Sequence, residues 1–453
     1  LSLVRRLLLP GLILGAVVRA IALPLPGTED VSAFKIWTVN ATHDPTSVYG
    51  VGGSPPTLRV LHWREWENIA NYPPLIFDEL GAAGRLYRLY SSDFADSKLF
   101  TVTIKLTPLL AELVWVAVFL TWGRRRFGPD VAATVVLVSW LNPAVIMDGA
   151  VLGYLDLPMA VPTTLALVAV FADAPGLAGG LIAAAILTKP QAIFVAPIIA
   201  AALFARCTPP LVRSLARFAS AGAVTAAVIL APIVIRGAWW NMWAAVRRLA
   251  MYDMVSAQAA NVWWLFTYAL RVMDVWREWG LANAIMQRLR ILALTRVIAL
   301  GYPNPRIVAL CLVSAAIVAA GWRVWRAPSL AVAAALAGWT AWASALFAAQ
   351  AHENHFFLAV SFFSLAAGLD RRFRSVCWTV SLVAAINVYL FGGFGLTYPP
   401  IDRSITFIDA SVLLAVVNVG AFLWFTLSKG TGLFSTDRPD RRVDLWKTGP
   451  SPD

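Results

Sequence analysis

The sequence predicts an all-α polytopic membrane protein with about twelve transmembrane helices and two long external loops carrying amphipathic helices. Three observations lead there. Of 453 residues, 59% are apolar and only 14% charged, with a mean hydropathy of +0.69; a soluble domain of that makeup would expose apolar surface over most of its area. Apolar stretches of about 20 residues recur, the length that crosses a bilayer. The basic residues cluster beside those stretches, as Arg5-Arg6, Arg124–Arg126, Arg206 with Arg213 and Arg217, Arg323 with Arg326, and Arg371-Arg372 with Arg374. That is the pattern of cytoplasmic flanks.

Placing the basic clusters inside gives a map along the chain. Segment 7–25 reads as an uncleaved first helix, leading into an external loop over 26–98. Spans follow at about 99–121, 131–149 and 155–173. The stretch 178–205 is interrupted by Lys189-Pro190-Gln191, and proline disrupts a helix interior, so two short spans meeting in a hairpin are expected there. A span at about 217–235 leads to a second external loop, 236–303. Its tryptophans at 239, 240, 243, 263, 264, 276 and 279 suit an interfacial layer. Spans at about 304–322, 328–350, 356–370, 375–394 and 405–427 complete a single unit, 1–427. The polar segment 428–453 is expected to be a disordered cytoplasmic tail.

The net charge of +12 does not imply nucleic-acid binding, because no soluble basic domain exists to carry it. Cys207, Cys311 and Cys377 match no metal or redox spacing and are expected to be free thiols. The absence of an obvious targeting segment fits a bacterial plasma membrane.

Candidate chemistry lies in the loops on one side. Gly27-Thr28-Glu29-Asp30 opens a helix whose apolar positions 33, 34 and 37 share a face. Asp30 has two readings, a helix N-cap or, with Glu29, a general base toward a substrate hydroxyl. Tyr72-Pro73-Pro74 fixes a rigid turn that could hold Tyr72 at a site mouth. Lys105 and Glu112, two turns apart, are expected to pair; Asp148 and Asp156 bracket an external turn, where solvation alone could account for them. Lys189, with Gln191 close by, either snorkels to the headgroups or meets a lipid phosphate. Finally, His352-Glu353-Asn354-His355 holds two of the four histidines in the chain. Their spacing of three differs from that of a zinc protease. A structural cluster and an imidazolium pair stabilising a departing phosphate both remain open.

Together these segments resemble the GT-C superfamily of polytopic glycosyltransferases that use polyprenyl-phosphate-linked sugars. The resemblance is nearest to the endoplasmic-reticulum glucosyltransferases of lipid-linked oligosaccharides and to bacterial GPI-mannosyltransferase-like proteins. Asp30 with Phe34 and Trp37 is similar to the family's first-loop catalytic Asp and its helix. Tyr72-Pro73-Pro74-Leu75, Leu141-Asn142-Pro143 leading to Asp148, Thr188-Lys189-Pro190-Gln191 and Ala260-Asn261-Val262-Trp263 resemble further family segments. His352-Glu353-Asn354-His355 is similar to the eukaryotic His-Glu-Lys-His, with Asn at the Lys position.

The resemblance implies an inverting hexosyltransferase moving mannose or glucose from a polyprenyl-phosphate donor to an acceptor hydroxyl on a glycan, lipid or protein. The transfer would occur at the external, periplasmic face of a plasma membrane, without metal or other cofactor. Asp30 would be the base, and Lys189, His352 and His355 would hold the phosphate. Glu29, Tyr72, Asp148, Asp156, Gln191 and Glu353 would line the substrate site. The competing expectation is a transporter or lipid flippase. Against it stand the charges clustered at one face, where alternating access favours the midplane.

Overall fold

A computed structural model describes residues 2–50, 56–59, 67–206, 211–249, 251–393, 403, 407–428 and 433–434. The described residues are overwhelmingly helical. The first helix, α1 (Leu3–Ala22), leads through Gly27 to α2 (Glu29–His43). A short antiparallel pair, β1 (Thr57–Arg59) and β2 (Glu67–Ile69), precedes α3 (Pro74–Tyr87). Next come α4 (Lys98–Val118), α5 (Arg124–Phe127), α6 (Pro129–Trp140) and α7 (Pro143–Val145), the last running into a π-helical stretch, Ile146–Leu152. Then follow α8 (Leu157–Phe171), α9 (Pro175–Thr188), α10 (Ala196–Arg206) and α11 (Leu211–Ile235). The second loop region contains α12 (Trp239–Leu249), α13 (Val262–Trp279), α14 (Leu281–Met286) and α15 (Leu294–Ala299). The chain continues with α16 (Pro305–Arg326), α17 (Leu330–Phe347), α18 (Phe357–Leu369), α19 (Arg374–Gly392) and α20 (Ala410–Leu427).

Among the described residues, six helices are long and apolar enough to cross a membrane, or seven if the pair Pro129–Trp140 and Pro143–Leu152, bent by 47°, is one span. Each expected segment contains a helix among its described residues, but α8, α9 and α10 have only 15, 14 and 11 residues. The break at Lys189 is present, with Lys189 extended between α9 and a 3-10 turn over Pro190–Phe194. The two arms are not a closely packed hairpin, however. α9 lies against α8 and α11, and α10 against α16.

Close helix approach comes from small residues, the usual device where lipid offers no hydrophobic contrast. A Cβ on Gly179 of α9 would overlap the backbone oxygen of Phe218 on α11. The main apolar core centres on α17 and α18, both buried nearly throughout. A second core lies in the first loop, where Phe34, Trp37, Tyr49, Ile76 and Phe77 join α2 to α3. α2 is therefore packed against α3 within the loop.

Several local expectations are corrected. Glu112 bonds Arg19 rather than Lys105; the Arg19 Nε–Glu112 Oε2 distance is 2.8 Å. Lys105 instead donates to the carbonyls of Leu25, Ala150 and Val151 at 2.7, 3.1 and 2.8 Å. Periodicity placed the two residues on one helix face but could not show which neighbour faces them. Of the second-loop tryptophans, Trp239, Trp240, Trp243, Trp276 and Trp279 are exposed, whereas Trp263 and Trp264 are buried. Those two bond Phe347 O and Ser411 Oγ, as a buried indole N–H requires. Cys311 and Cys377 are free thiols; Cys207 lies outside the described residues. Most of the expected tail does too, but Leu433 is buried and Phe434 packs edge-on against Trp339.

Candidate active site

The site forms where five distant segments meet at one end of the helix bundle. Its first element is the start of α2. Gly27, at φ +79°, lets the chain turn so tightly that a Cβ there would approach Leu152 O to 2.6 Å. The Thr28 N–H then donates to Leu152 O at 2.9 Å, tying the first loop to the π-helical stretch. Lys105 grips the same region through its three carbonyls. Thr28, not Asp30, occupies the N-cap position of α2. The capping reading of Asp30 is thereby removed, and its carboxylate is left in the first turn, facing a cavity.

Burial pushes the Asp30 carboxyl up to about 6. Glu353 and Asp156 add to the rise, while His352 and Lys189 oppose it. A carboxylate with that pKa is ionised at neutral pH yet basic enough to take a proton, the compromise that general-base work requires.

The second element is an ion pair with a supporting amide. Lys189 Nζ lies 2.6 Å from Asp156 Oδ1, and both side chains are 2% exposed. Asn354 Nδ2 donates to the other oxygen, Asp156 Oδ2, at 2.9 Å. The asparagine inside the His-Glu-Asn-His segment thus satisfies the lone pairs that Lys189 leaves open. Asp156 is no solvated turn residue, and neither is Asp148. Both are buried, and the Asp148 oxygens have no hydrogen-bond partner among the described residues. Lys189 also lies over the Tyr72 ring at 5.4 Å. Burial tends to lower its pKa, but Asp156 outweighs that and holds the ammonium charged. Lys189 therefore meets a protein carboxylate rather than snorkelling to the bilayer surface.

The third element is the 3-10 turn Glu353–Phe356, with His352 at its N-cap. The two imidazole rings are 5.5 Å apart, and His355 Nε2 lies 3.0 Å from Gln191 Nε2. Burial pulls both histidines below their ordinary pKa, His355 well below. That burial disfavours the imidazolium form that the spacing invited. Burial raises Glu353, whose Oε1 accepts from Tyr154 OH at 2.7 Å. Asn387 Nδ2 donates to the Glu353 backbone oxygen at 2.7 Å, and Asn387 Oδ1 accepts from Ala260 N at 2.9 Å.

These groups line two joined cavities. One, of about 280 Å³, touches Thr28, Glu29, Asp30, Tyr154, His352 and Glu353. The other, of about 220 Å³, touches Asp30, Trp37, Tyr72, Gln191, Asn354 and His355. They meet at Asp30, His352 and Glu353. The structure thus gathers Glu29, Asp30, Tyr72, Gln191, His352, Glu353 and His355 around one space. Asp156 and Lys189, each 2% exposed, lie beneath the lining residues Asn354 and Tyr72 that they contact, and Asp148 is buried as well.

Tyr154, Asn387 and Tyr252 were missed. A polar Asn within the apolar run of α19 was the one available signal, since such a side chain needs a partner inside the bilayer. Tyr252 lines the second cavity, and its ring stands 6.1 Å from that of His352.

No family model matches the chain, and no curated protein matches it. Among solved structures, it is similar to the Archaeoglobus fulgidus oligosaccharyltransferase in two forms. With the acceptor peptide tethered, identity is 15% and the TM-score 0.43. In the apo form, identity is 13% and the TM-score again 0.43. Each match covers 96% of this chain but only 56% and 57% of the other, so the chain spans little more than half the length of that enzyme.

Proposed function

We propose that the protein is an integral-membrane inverting glycosyltransferase that moves a hexose, mannose or glucose, from a polyprenyl-phosphate donor to an acceptor hydroxyl at the external face of the membrane. The observation that carries this reading is Asp30. Its carboxylate opens on a polar cavity, has its pKa raised to about 6, and is joined through that cavity to the imidazoles of His352 and His355.

In the proposed reaction, Asp30 accepts the proton of the acceptor hydroxyl as its oxygen attacks the sugar C1. The bond from C1 to the phosphate oxygen breaks, and the electron pair leaves with the lipid phosphate. A single displacement inverts C1. His352 and His355 donate N–H groups to the phosphate, and Lys189 supplies the ammonium hydrogens that Asp156 does not use. Glu29, Tyr72, Gln191 and Glu353 bound the space the sugars occupy, while Asp156 sets the position of Lys189.

The test is transfer of radiolabelled mannose or glucose from polyprenyl-phosphate donors by the full chain in lipid nanodiscs. Transfer that Asp30→Asn abolishes, with folding intact, supports the reading. Equal transfer by Asp30→Asn removes Asp30 as base. Lipid or sugar movement without transfer would mark a transporter or flippase instead.

A further inference from the structure

A third cavity, of about 650 Å³, opens outside the two described above and is lined by Thr57, Asn68, Asn71, Arg248 and Tyr252 among others. Asn68, Asn71 and Tyr252 also line the cavity that reaches Asp30, so the outer cleft is continuous with the site. Its polar groups are hydroxyls, amides and one guanidinium, and no described carboxylate lines it.

Arg248 is the cation of this cleft. It lies on α12, seven residues after Asn241 and three after Ala245, on the face that packs inward. Asn241 fixes that face by donating to Tyr49 O at 2.7 Å. The neighbouring Arg247 is exposed, whereas Arg248 is half-buried. Among the described residues its guanidinium has neither ion pair nor hydrogen-bond acceptor. A guanidinium that opens on a polar cleft presents a planar fork of donors that matches a phosphate or carboxylate. Asn71 adds a complementary signal: its Nδ2 faces Tyr252 OH at 3.4 Å, while its Oδ1 is buried without a donor. An open acceptor atom in the same cleft as a guanidinium suits a ligand that carries both a hydroxyl and an oxyanion.

We infer that the outer cleft is an oxyanion subsite, in which Arg248 binds a phosphate or carboxylate and Asn71 Oδ1 accepts from an adjacent sugar hydroxyl. The inference rests on the transferase reading only for which substrate brings the anion. The subsite adds a positive charge beside the inner site, where the charge of Lys189 is balanced by Asp156. The anion comes either from the donor's phosphate or from an acidic acceptor sugar.

The test is equilibrium binding to the full chain in phosphatidylcholine nanodiscs, read by tryptophan fluorescence without turnover. The probes are farnesyl phosphate, glucuronic acid and, as the neutral reference, mannose. At least one anionic probe is expected to bind more tightly than mannose. Arg248→Gln should weaken that binding about tenfold or more; Arg248→Lys should retain most of it, and Arg247→Gln should leave it within about twofold. Preference for farnesyl phosphate supports the subsite with the donor as source, and preference for glucuronic acid supports it with an acidic acceptor. Anions binding no better than mannose, or Arg248→Gln binding like the unaltered protein, would overturn the inference. So would equal loss in Arg248→Gln and Arg248→Lys, which marks a structural role. Because no turnover is read, an intact subsite without sugar transfer would sink the transferase reading alone.

Discussion

Removing Lys189 while leaving Asp156 in place should be among the most damaging single changes in the protein. The pair is 2.6 Å apart and each side chain is 2% exposed, so Lys189→Met strands a carboxylate where water cannot reach it. Breaking a buried pair in this way costs about 3–5 kcal/mol. Asn354 still donates to Asp156 Oδ2 at 2.9 Å, which places the expected loss near the lower end, about 3 kcal/mol. The double variant Lys189→Met/Asp156→Asn removes both charges and should recover to within about 1 kcal/mol of the unaltered protein, because a neutralised pair carries no desolvation cost. The assay is unfolding in mixed micelles followed by tryptophan fluorescence, with both single variants completing a double-mutant cycle. If Lys189→Met is as stable as the unaltered chain, or the double variant is no better than the single, the buried-pair account is wrong.

Two further outcomes follow from the same physics. Asp30 is raised from 3.8 to about 6, so the folded state holds its proton more tightly than the unfolded chain does. That contribution to stability is complete below about pH 4 and is lost as pH rises through about 6. Asp30→Asn should therefore match the unaltered protein at pH 4 and exceed it by about 1–3 kcal/mol at pH 7, read from unfolding midpoints; a difference independent of pH would contradict the burial of this charge. Gly179→Ala should destabilise by about 1–3 kcal/mol, because its Cβ meets the Phe218 backbone. Gly420→Ala, with nothing within 4 Å, should change little, and equal midpoints for the two variants would refute the close α9–α11 approach.

The helices were legible because apolar runs, basic flanks and the Lys189-Pro190 break are all local signals. The candidate residues were also visible, since polar side chains beside apolar runs are costly. Their partners were not. Arg19 finds Glu112 across the bundle, and Lys105 finds three carbonyls on other segments; neither choice is encoded in spacing along one helix. Asp148 and Asp156 looked like a wet turn because they stand between apolar runs. The π-helical stretch and Gly153, at φ +79°, instead turn that segment inward. Asn354 made no sense in its own segment, because its partner Asp156 lies 198 residues away in sequence. Arg248 was hidden among the Trp and Arg residues of the second loop, where only the packed face of α12 distinguishes it from Arg247.

The central claim is that Asp30 takes the proton from the acceptor hydroxyl, and the pH dependence of sugar transfer tests it most directly. With polyprenyl-phosphate mannose or glucose as donor, kcat/KM should fall tenfold per pH unit on the acid side, with an apparent pKa of about 6 set by Asp30. Glutamate at this position should retain some activity with the acid limb displaced, and asparagine should retain none. A profile flat from pH 5 to 8, or an unchanged acid limb in Asp30→Glu, would contradict the account.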